Sequence, residues 1–218
     1  RTGEVIRTIG SQLVKYTRNE QNQGPSFCRN MGMRLANSSW ILFLDADDIF
    51  HNAKIEILNT CLVNNSAIKA IGHAFTVKDH TLLEKNDWIP AKLPEPKPIT
   101  IFQLLLRNRM VTPSLGVAAS NHIFFNETMK NAEDHDFILR TAEQYNIWYL
   151  DIPLCSLSRL PLTAGGLSSH RWNMRRGEIN MYINYCKRNK LYLLIPFLVL
   201  LSLGKHVRNR LVLKNEVD

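Results

Sequence analysis

The stretch WILFLDADDIF, from Trp40 to Phe50, decides the fold. It begins as a continuous apolar run, which is typical of a strand covered on both faces. It ends in Asp45, Asp47 and Asp48, which repel one another and cannot be buried unpaired. In open α/β sheets ligands bind beyond the carboxyl ends of the strands. We therefore expect a positively charged group beside these three carboxylates.

Helix-like and strand-like patterns alternate on both sides of this stretch. Before it, Leu13, Val14 and Tyr16 indicate a strand, and Pro25 stands at the first position of a helix running to about Asn37. After it we predict a helix from about Ala53 to Asn64 and then a strand near Ala70 to Val77. A proline-rich loop in PAKLPEPKP and a helix in ITIFQLLLRNR follow. The last predicted elements are a strand in VTPSLGVAA, a helix in DHDFILRTAEQY, and short strands in WYLD and LCSLSRL. This alternation predicts an α/β layer fold with a mainly parallel sheet.

Composition and charge narrow the class of protein. The 218 residues are 45% hydrophobic and 21% charged, which is a globular composition. A net charge of +8 favours phosphates, anionic lipids or nucleic acid as partners. The basic residues are scattered and no recognition motif accompanies them, so we predict no nucleic-acid partner. The four cysteines form no CxxC pair and are interpreted as reduced core thiols of a cytosolic protein.

The two ends of the chain carry separate predictions. RTGEVIRTIG at the start has neither an initiator methionine nor an apolar signal segment, so we interpret the chain as a fragment. Near the other end, LYLLIPFLVLLSL (Leu191 to Leu203) is too short for a membrane span, which needs about 20 apolar residues. Two interpretations stay open: a buried or half-buried closing helix, or an interfacial helix resting on anionic lipid through Lys205, Arg208 and Arg210.

Oxygen ligands at a strand end are suited to a hard cation such as Mg²⁺ or Mn²⁺, shared with the phosphates of a substrate. The alternative is that Asp47 or Asp48 caps the following helix and the other carboxylates are solvated.

Two longer blocks carry a resemblance. NQGPSFCRNMGMRLANSSWILFLDADD (Asn22 to Asp48) and FNETMKNAEDHDFILR (Phe125 to Arg140) resemble the signature of family-two glycosyltransferases with the glycosyltransferase-A fold. The likeness covers roughly Glu4 to Arg176. It implies a three-layer α/β sandwich that lacks its first strands, with a catalytic domain at residues 1–176 and a partly apolar, basic helical segment at 177–218.

The resemblance also implies a reaction, the transfer of a hexosyl or related sugar from a nucleotide-diphosphate donor to a hydroxyl acceptor with inversion. A UDP-sugar is the favoured donor, and a saccharide or lipid-linked saccharide is the expected acceptor. Mn²⁺ or Mg²⁺ held by Asp45 and Asp47 would stabilise the leaving diphosphate, with Asp48 in support. His170, in GGLSSHRW, is a further candidate metal ligand; its alternative is a structural role.

The remaining site residues are assigned by family position. Arg29 and Asn30 join Asp45 and Asp47 on the donor side, although Arg29 could equally be a surface helix residue. On the acceptor side Asp134 is the predicted base and Glu133 orients the acceptor or the base. A carboxylate at a helix start can instead be a simple cap.

We expect a role in surface polysaccharide or glycan synthesis, in the cytoplasm or peripherally on the inner face of the membrane. Two rival functions remain: a non-catalytic assembly or membrane adaptor, and another metal-dependent phosphoryl or nucleotidyl transferase. No GxxxxGK[ST] motif occurs, which disfavours an NTPase. Family members usually begin with strands that hold the nucleotide, so we predict that this chain alone is catalytically incompetent; sugar transfer by the purified chain would contradict this.

Overall fold

The computed structural model describes residues 2–9, 13–78, 93–159 and 170–214. The helices are α1 (Thr2–Ile9), α2 (Gly24–Leu35), α3 (Lys54–Asn64), α4 (Ile101–Leu106), α5 (Glu133–Gln144), α6 (Arg171–Arg188) and α7 (Ile195–Lys214). The strands are β1 (Trp40–Leu42), β2 (Ile49–Phe50), β3 (Ala70–Val77), β4 (Lys97–Ile99), β5 (Leu115–Ala118) and β6 (Ile147–Leu157).

The strands form one mixed sheet in the order β1-β5-β3-β6-β2, with β4 also paired to β6. Within the described ranges β3 and β6 are parallel and the other pairings are antiparallel. The predicted α/β fold is confirmed, but the expectation of a mainly parallel sheet is wrong for this part of the chain. The reason is that β5 inserts between β1 and β3 and runs against both, an arrangement that alternation along the sequence does not reveal.

Helices cover both faces of the sheet and give the three predicted layers. On one face Phe137 and Leu139 of α5 and Tyr182 of α6 belong to the larger apolar cluster. On the other face Ile57 and Leu58 of α3 pack in a second cluster with strand residues of β3 and β6. Burial on both sides is what the continuous apolar runs of the inner strands predict.

Most predicted helices and strands occur close to the expected residues. Three predictions differ from the structure. Leu13 is 93% exposed and residues 13–16 form no strand, so that prediction is wrong. Pro98 lies inside β4, although we predicted only loop there; Pro90 falls outside the described residues. WYLD and LCSL lie in a single strand, β6, which contains Pro153.

Hydrogen bonds join α6 to α4 and α7 to α6. The hydroxyl of Tyr182 in α6 donates to the carbonyl of Leu105 at 2.7 Å, and Lys205 of α7 donates to Glu178 of α6 at 2.9 Å. The predicted boundary between residues 176 and 177 falls inside α6. Among the helices described, none is long and apolar enough to cross a membrane.

Candidate active site

The acidic loop, Asp45–Asp48, follows β1 as a tight turn in which the amide of Asp48 donates to the carbonyl of Asp45 at 3.1 Å. The side chains of Asp45 and Asp47 are 41% and 49% exposed. Helix α3 begins only at Lys54, with Ala53 as its N-cap. The alternative in which Asp47 or Asp48 caps this helix is therefore wrong, and the carboxylates are available for other partners.

Ser158 and Arg159, just after β6, donate hydrogen bonds to two carboxylates of the acidic loop. Asp47 accepts from Arg159 at 2.7 Å and from the hydroxyl of Ser158 at 2.9 Å, and both hydrogen bonds lower its pKa. Asp48 accepts from the backbone amide of Ser158 at 2.9 Å. Burial nevertheless raises the pKa of Asp48, and the neighbouring charges of Asp47 and Asp45 add to that effect.

Arg29 of α2 joins the acidic loop to the start of α5. Its guanidinium donates to Asp45 at 2.9 Å and to Glu133 at 3.3 Å. Burial works against the charge of Arg29, but the carboxylates of Asp45, Glu133 and Asp134 outweigh it and raise its pKa. One half-buried cation therefore links two acidic motifs that lie far apart in the sequence.

The start of α5 carries the predicted base. Glu133 and Asp134 are both half-buried, and burial followed by the charge of Asp134 raises the pKa of Glu133. Oδ1 of Asp134 accepts from the amide of the next residue, His135, at 2.7 Å. Ala132, the residue before Glu133, has the left-handed backbone conformation with φ 58°. Such a φ is costly for a non-glycine residue and is often found at functional sites.

Three buried phenylalanines lie beneath the two acidic motifs. Phe125 and Phe137 stack with ring centroids 4.1 Å apart, and Phe43 meets them edge-on at 5.3 and 6.0 Å. Phe43 comes two residues before Asp45, and Phe137 lies one turn into α5. This aromatic triad connects the acidic loop to the start of α5.

The structure buries Asn30, a predicted donor-side residue, and His135, which follows the predicted base in the sequence. The side chain of Asn30 is 1% exposed; it accepts from the amide of Phe125 at 2.7 Å and donates to the carbonyl of the same residue at 2.9 Å. These bonds fasten α2 to the segment before α5. His135 is buried with Nε2 2.8 Å from the carbonyl oxygen of Leu104, a contact that joins α5 to α4.

The predicted metal ligands fit a cation in their chemistry but are not gathered around one point. Carboxylate oxygens suit Mg²⁺ and Mn²⁺. However, Asp45 and Asp47 each face a different arginine, and His170 is exposed just before α6. Within residues 2–9, 13–78, 93–159 and 170–214 no group of three His, Cys, Asp or Glu side chains could hold a metal. A cation that takes both carboxylates must displace their arginine partners.

A cleft of about 510 Å³ opens between α2 and β1 and reaches Asp45. Cys28, Arg29 and Met33 line it from the helix, and Trp40 to Ala46 from the strand and the loop. A cleft at the carboxyl end of a strand, with charged groups at its inner end, is the usual place for a ligand in this class of fold.

Sequence reasoning missed Ser158 and Arg159. They follow the LCSL part of β6, and β2, which comes just after the acidic loop, pairs with this same part of the strand. The available signal was a basic residue near the end of the predicted strand LCSLSRL. Without the pairing of β2 and β6, nothing in the sequence connects Arg159 to Asp47.

Two curated proteins are similar to this chain in sequence. An uncharacterized glycosyltransferase of Haemophilus influenzae is 29% identical over 145 residues, which is 64% of this chain and 48% of that protein. A second uncharacterized glycosyltransferase of the same species is 40% identical over 75 residues, or 33% of this chain and 30% of that protein. The chain thus spans about half or less of the length of these relatives.

Solved structures support the fold. The structure of S. aureus TarS 1–349 in complex with UDP-GlcNAc matches with a TM-score of 0.60 at 16% identity, over 84% of this chain and 53% of that chain. The UDP complex of the same protein matches with a TM-score of 0.56. The glycosyltransferase-A fold is confirmed. The model of glycosyl transferase family 2 matches residues 1–127, more than half of the chain. This protein therefore belongs to glycosyl transferase family 2.

Proposed function

We propose that this chain is part of an enzyme that transfers a hexosyl or related sugar from a nucleotide diphosphate to an acceptor hydroxyl, with inversion at the anomeric carbon. The observation that carries this proposal is the position of Arg29, which is 2.9 Å from Asp45 and 3.3 Å from Glu133. It brings the acidic loop and the start of α5 to the same place. Family membership supports the class of reaction.

The proposed donor is a UDP-sugar. The fold matches TarS, whose structures contain UDP-GlcNAc and UDP, at an identity that supports the fold alone. The cleft beside β1 is open to a ligand and ends at Asp45. A divalent cation bound by Asp45 and Asp47, with Asp48 in support, would stabilise the negative charge that grows on the diphosphate.

Asp134 is the proposed base. It takes the proton of the acceptor hydroxyl while the hydroxyl oxygen attacks the anomeric carbon, and the bond from that carbon to the diphosphate oxygen breaks with its electron pair. The amide of His135 fixes one carboxylate oxygen of Asp134 at 2.7 Å. Glu133 is tied to Arg29 and holds the start of α5 against the acidic loop.

Arg29 and Asn30 are predicted to assist on the donor side. The two carboxylate partners of Arg29 support a role in positioning the acidic loop and α5. The buried bonds of Asn30 to Phe125 support a role in holding α2, the helix that presents Arg29. His170 stays a candidate ligand for which the described contacts offer no support.

We further propose a saccharide or lipid-linked saccharide acceptor, a role in surface glycan synthesis and a cytoplasmic location. Family membership supports the first two. Free Cys61, Cys155 and Cys186, all buried, support a reducing compartment, because disulfides are rare there.

Calorimetric titration of UDP, with and without Mn²⁺, tests the donor site. In a preparation that binds UDP, we expect the binding to depend on Mn²⁺, to be abolished by Asp47→Ala and to be left intact by Asp151→Ala, a change at an exposed aspartate of β6. Equal affinity in the Asp47→Ala variant would overturn the assignment of the acidic loop and favour a non-catalytic adaptor. Binding of ATP in place of UDP would favour a phosphoryl or nucleotidyl transferase.

A further inference from the structure

Helix α7 has two apolar faces, and only one of them is covered. Leu198 and Ser202 are buried, at 1% and 0% exposure, on the face that packs towards α6. The opposite side carries Leu193, just before the helix, then Phe197, Leu200 and Val207, with exposures of 97%, 51%, 67% and 56%. We call these four residues the α7 stripe. Phe197, Leu200 and Val207 are spaced by three and seven residues, which places them along one side of α7, and Leu193 lies in the turn just before the helix.

Exposed apolar residues of this size are ordinary when scattered but informative when contiguous. The α7 stripe continues at its start into Leu191 and Tyr192, which are 42% and 58% exposed. Leu193 has almost no protein neighbour to pack against. A continuous exposed apolar surface of this kind marks a contact with lipid or with another protein.

The sequence after Glu178 is rich in basic residues, two of which are paired with carboxylates: Arg188 with Glu143 at 3.1 Å and Lys205 with Glu178 at 2.9 Å. From residue 179 to residue 215 the sequence contains no aspartate or glutamate. It contains seven basic residues: Lys187, Arg188, Lys190, Lys205, Arg208, Arg210 and Lys214. Lys187 and Lys190 are exposed at the end of α6, and Arg208 is exposed near the other end of the stripe. The side chain of Arg210, predicted above to contact lipid, lies outside the described residues.

We propose that the α7 stripe docks this protein onto a bilayer that contains acidic lipids. The apolar side chains enter the boundary between headgroups and acyl chains, and the flanking lysines and arginine contact the anionic headgroups. A second copy of the chain is a poor occupant, because a two-fold interface would bring the exposed Lys187, Lys190 and Arg208 of one copy close to those of the other. The helix lies on the membrane surface and does not span it.

Vesicle co-sedimentation of the full chain tests the proposal. The probes are vesicles of phosphatidylcholine alone and of phosphatidylcholine mixed with phosphatidylglycerol. We expect binding to the mixed vesicles that weakens as salt is added, because salt screens the headgroup attraction. Leu193→Ser combined with Leu200→Ser should weaken binding at least about ten-fold. Lys187→Gln and Lys190→Gln should each weaken it about five-fold.

The control is Val63→Ser, which removes a 74% exposed apolar side chain from α3. It should leave vesicle binding unchanged, and urea denaturation should show that all variants fold. Binding that is absent from mixed vesicles, or that the double leucine variant retains, overturns the proposal. A dimer in sedimentation velocity that Leu193→Ser dissociates, or binding to an acidic protein without binding to vesicles, assigns the surface to another occupant. UDP titration reports on the donor site separately, so the failure of one proposal leaves the other testable.

Discussion

Arg159 donates a 2.7 Å hydrogen bond from Nη2 to Oδ2 of Asp47, and so ties the end of β6 to the acidic loop. The pair is half-exposed, with side-chain exposures of 43% and 49%. Exposed ion pairs of this kind contribute about 0.2–1 kcal/mol. A cation that binds Asp47 must overcome that free energy.

Arg159→Gln should therefore increase the affinity for Mn²⁺, by up to about five-fold. Electron paramagnetic resonance of free Mn²⁺ measures the change directly. Arg34→Gln is the matched control, because Arg34 is an exposed arginine whose nearest carboxylate, in Glu127, is 4.0 Å away. Weaker Mn²⁺ binding after Arg159→Gln would show that Arg159 supports the cation site and does not compete with it.

Asp134 and Asp136 lie in the same helical turn but have different surroundings. In a preparation that catalyses transfer, Asp134→Asn should lower kcat by about 10²–10⁴-fold, the usual contribution of a general base, with UDP affinity unchanged. A kcat within a few-fold of the parent protein would exclude Asp134 as the base.

Asp136→Asn should instead reduce stability. Asp136 is 1% exposed and accepts from Arg140 at 2.7 Å. Removing its charge leaves a partly buried arginine without its partner, at a cost of about 3 kcal/mol in the free energy of unfolding. Urea denaturation measures this cost, and a loss of activity without a loss of stability would contradict the structural role.

Lys54 should make stability depend on pH. It is fully buried, donates to the carbonyl of Pro113 at 2.6 Å and lies over the ring of Phe50. Burial lowers its pKa from 10.5 to about 7. Between these two pH values the unfolded chain holds a proton that the folded protein lacks, so unfolding takes up a proton and stability rises with pH.

The rise should be at most about 1.4 kcal/mol per pH unit. Lys54→Met should remove it, whereas Lys69→Met, at an exposed lysine before β3, should retain it. Urea denaturation between pH 7 and pH 10.5 provides the comparison. The same slope in the Lys54→Met variant would assign the pH dependence to other groups.

Gly177 is the point of closest approach between α6 and the segment before α5. A Cβ at this position would lie 2.6 Å from the carbonyl oxygen of Asn131, which is backbone and cannot turn away. Gly177→Ala should destabilise the protein by about 1–3 kcal/mol. Gly204→Ala in α7, where a Cβ meets nothing within 4 Å, should stabilise it by about 0.5–1 kcal/mol. Thermal unfolding of both variants would show whether the two changes differ in sign.

Local signals in the sequence were sufficient to predict most of the helices and strands. Pro25 marked the first turn of α2, and the apolar run after Ser39 marked β1. The strand predicted at Ala70 to Val77 has those bounds in the structure. The structure of these segments follows from residue propensity and from hydrophobic periodicity, and both can be read from a short window of sequence.

Pairing between distant segments was not predictable in the same way. Leu13, Val14 and Tyr16 have strand propensity, but residues 13–16 form no strand. Pro98 has little strand propensity, but it lies in β4, a short strand that pairs with β6 and with no other strand of the described ranges. In the site the family pattern selected Arg29, Asp45 and Glu133, which the structure brings together, but it did not select Arg159. The partner of Arg159 is 112 residues away and depends on the β2–β6 pairing.

The aromatic triad has a mechanical consequence. Phe43 and Phe137 share Phe125 as a common neighbour, with all three rings buried in one cluster. Close-packed rings of this kind resist sliding, because interiors have low compressibility. Ring packing therefore couples the position of the acidic loop to that of the start of α5, and the spacing between these two acidic motifs depends on the volume of three buried rings.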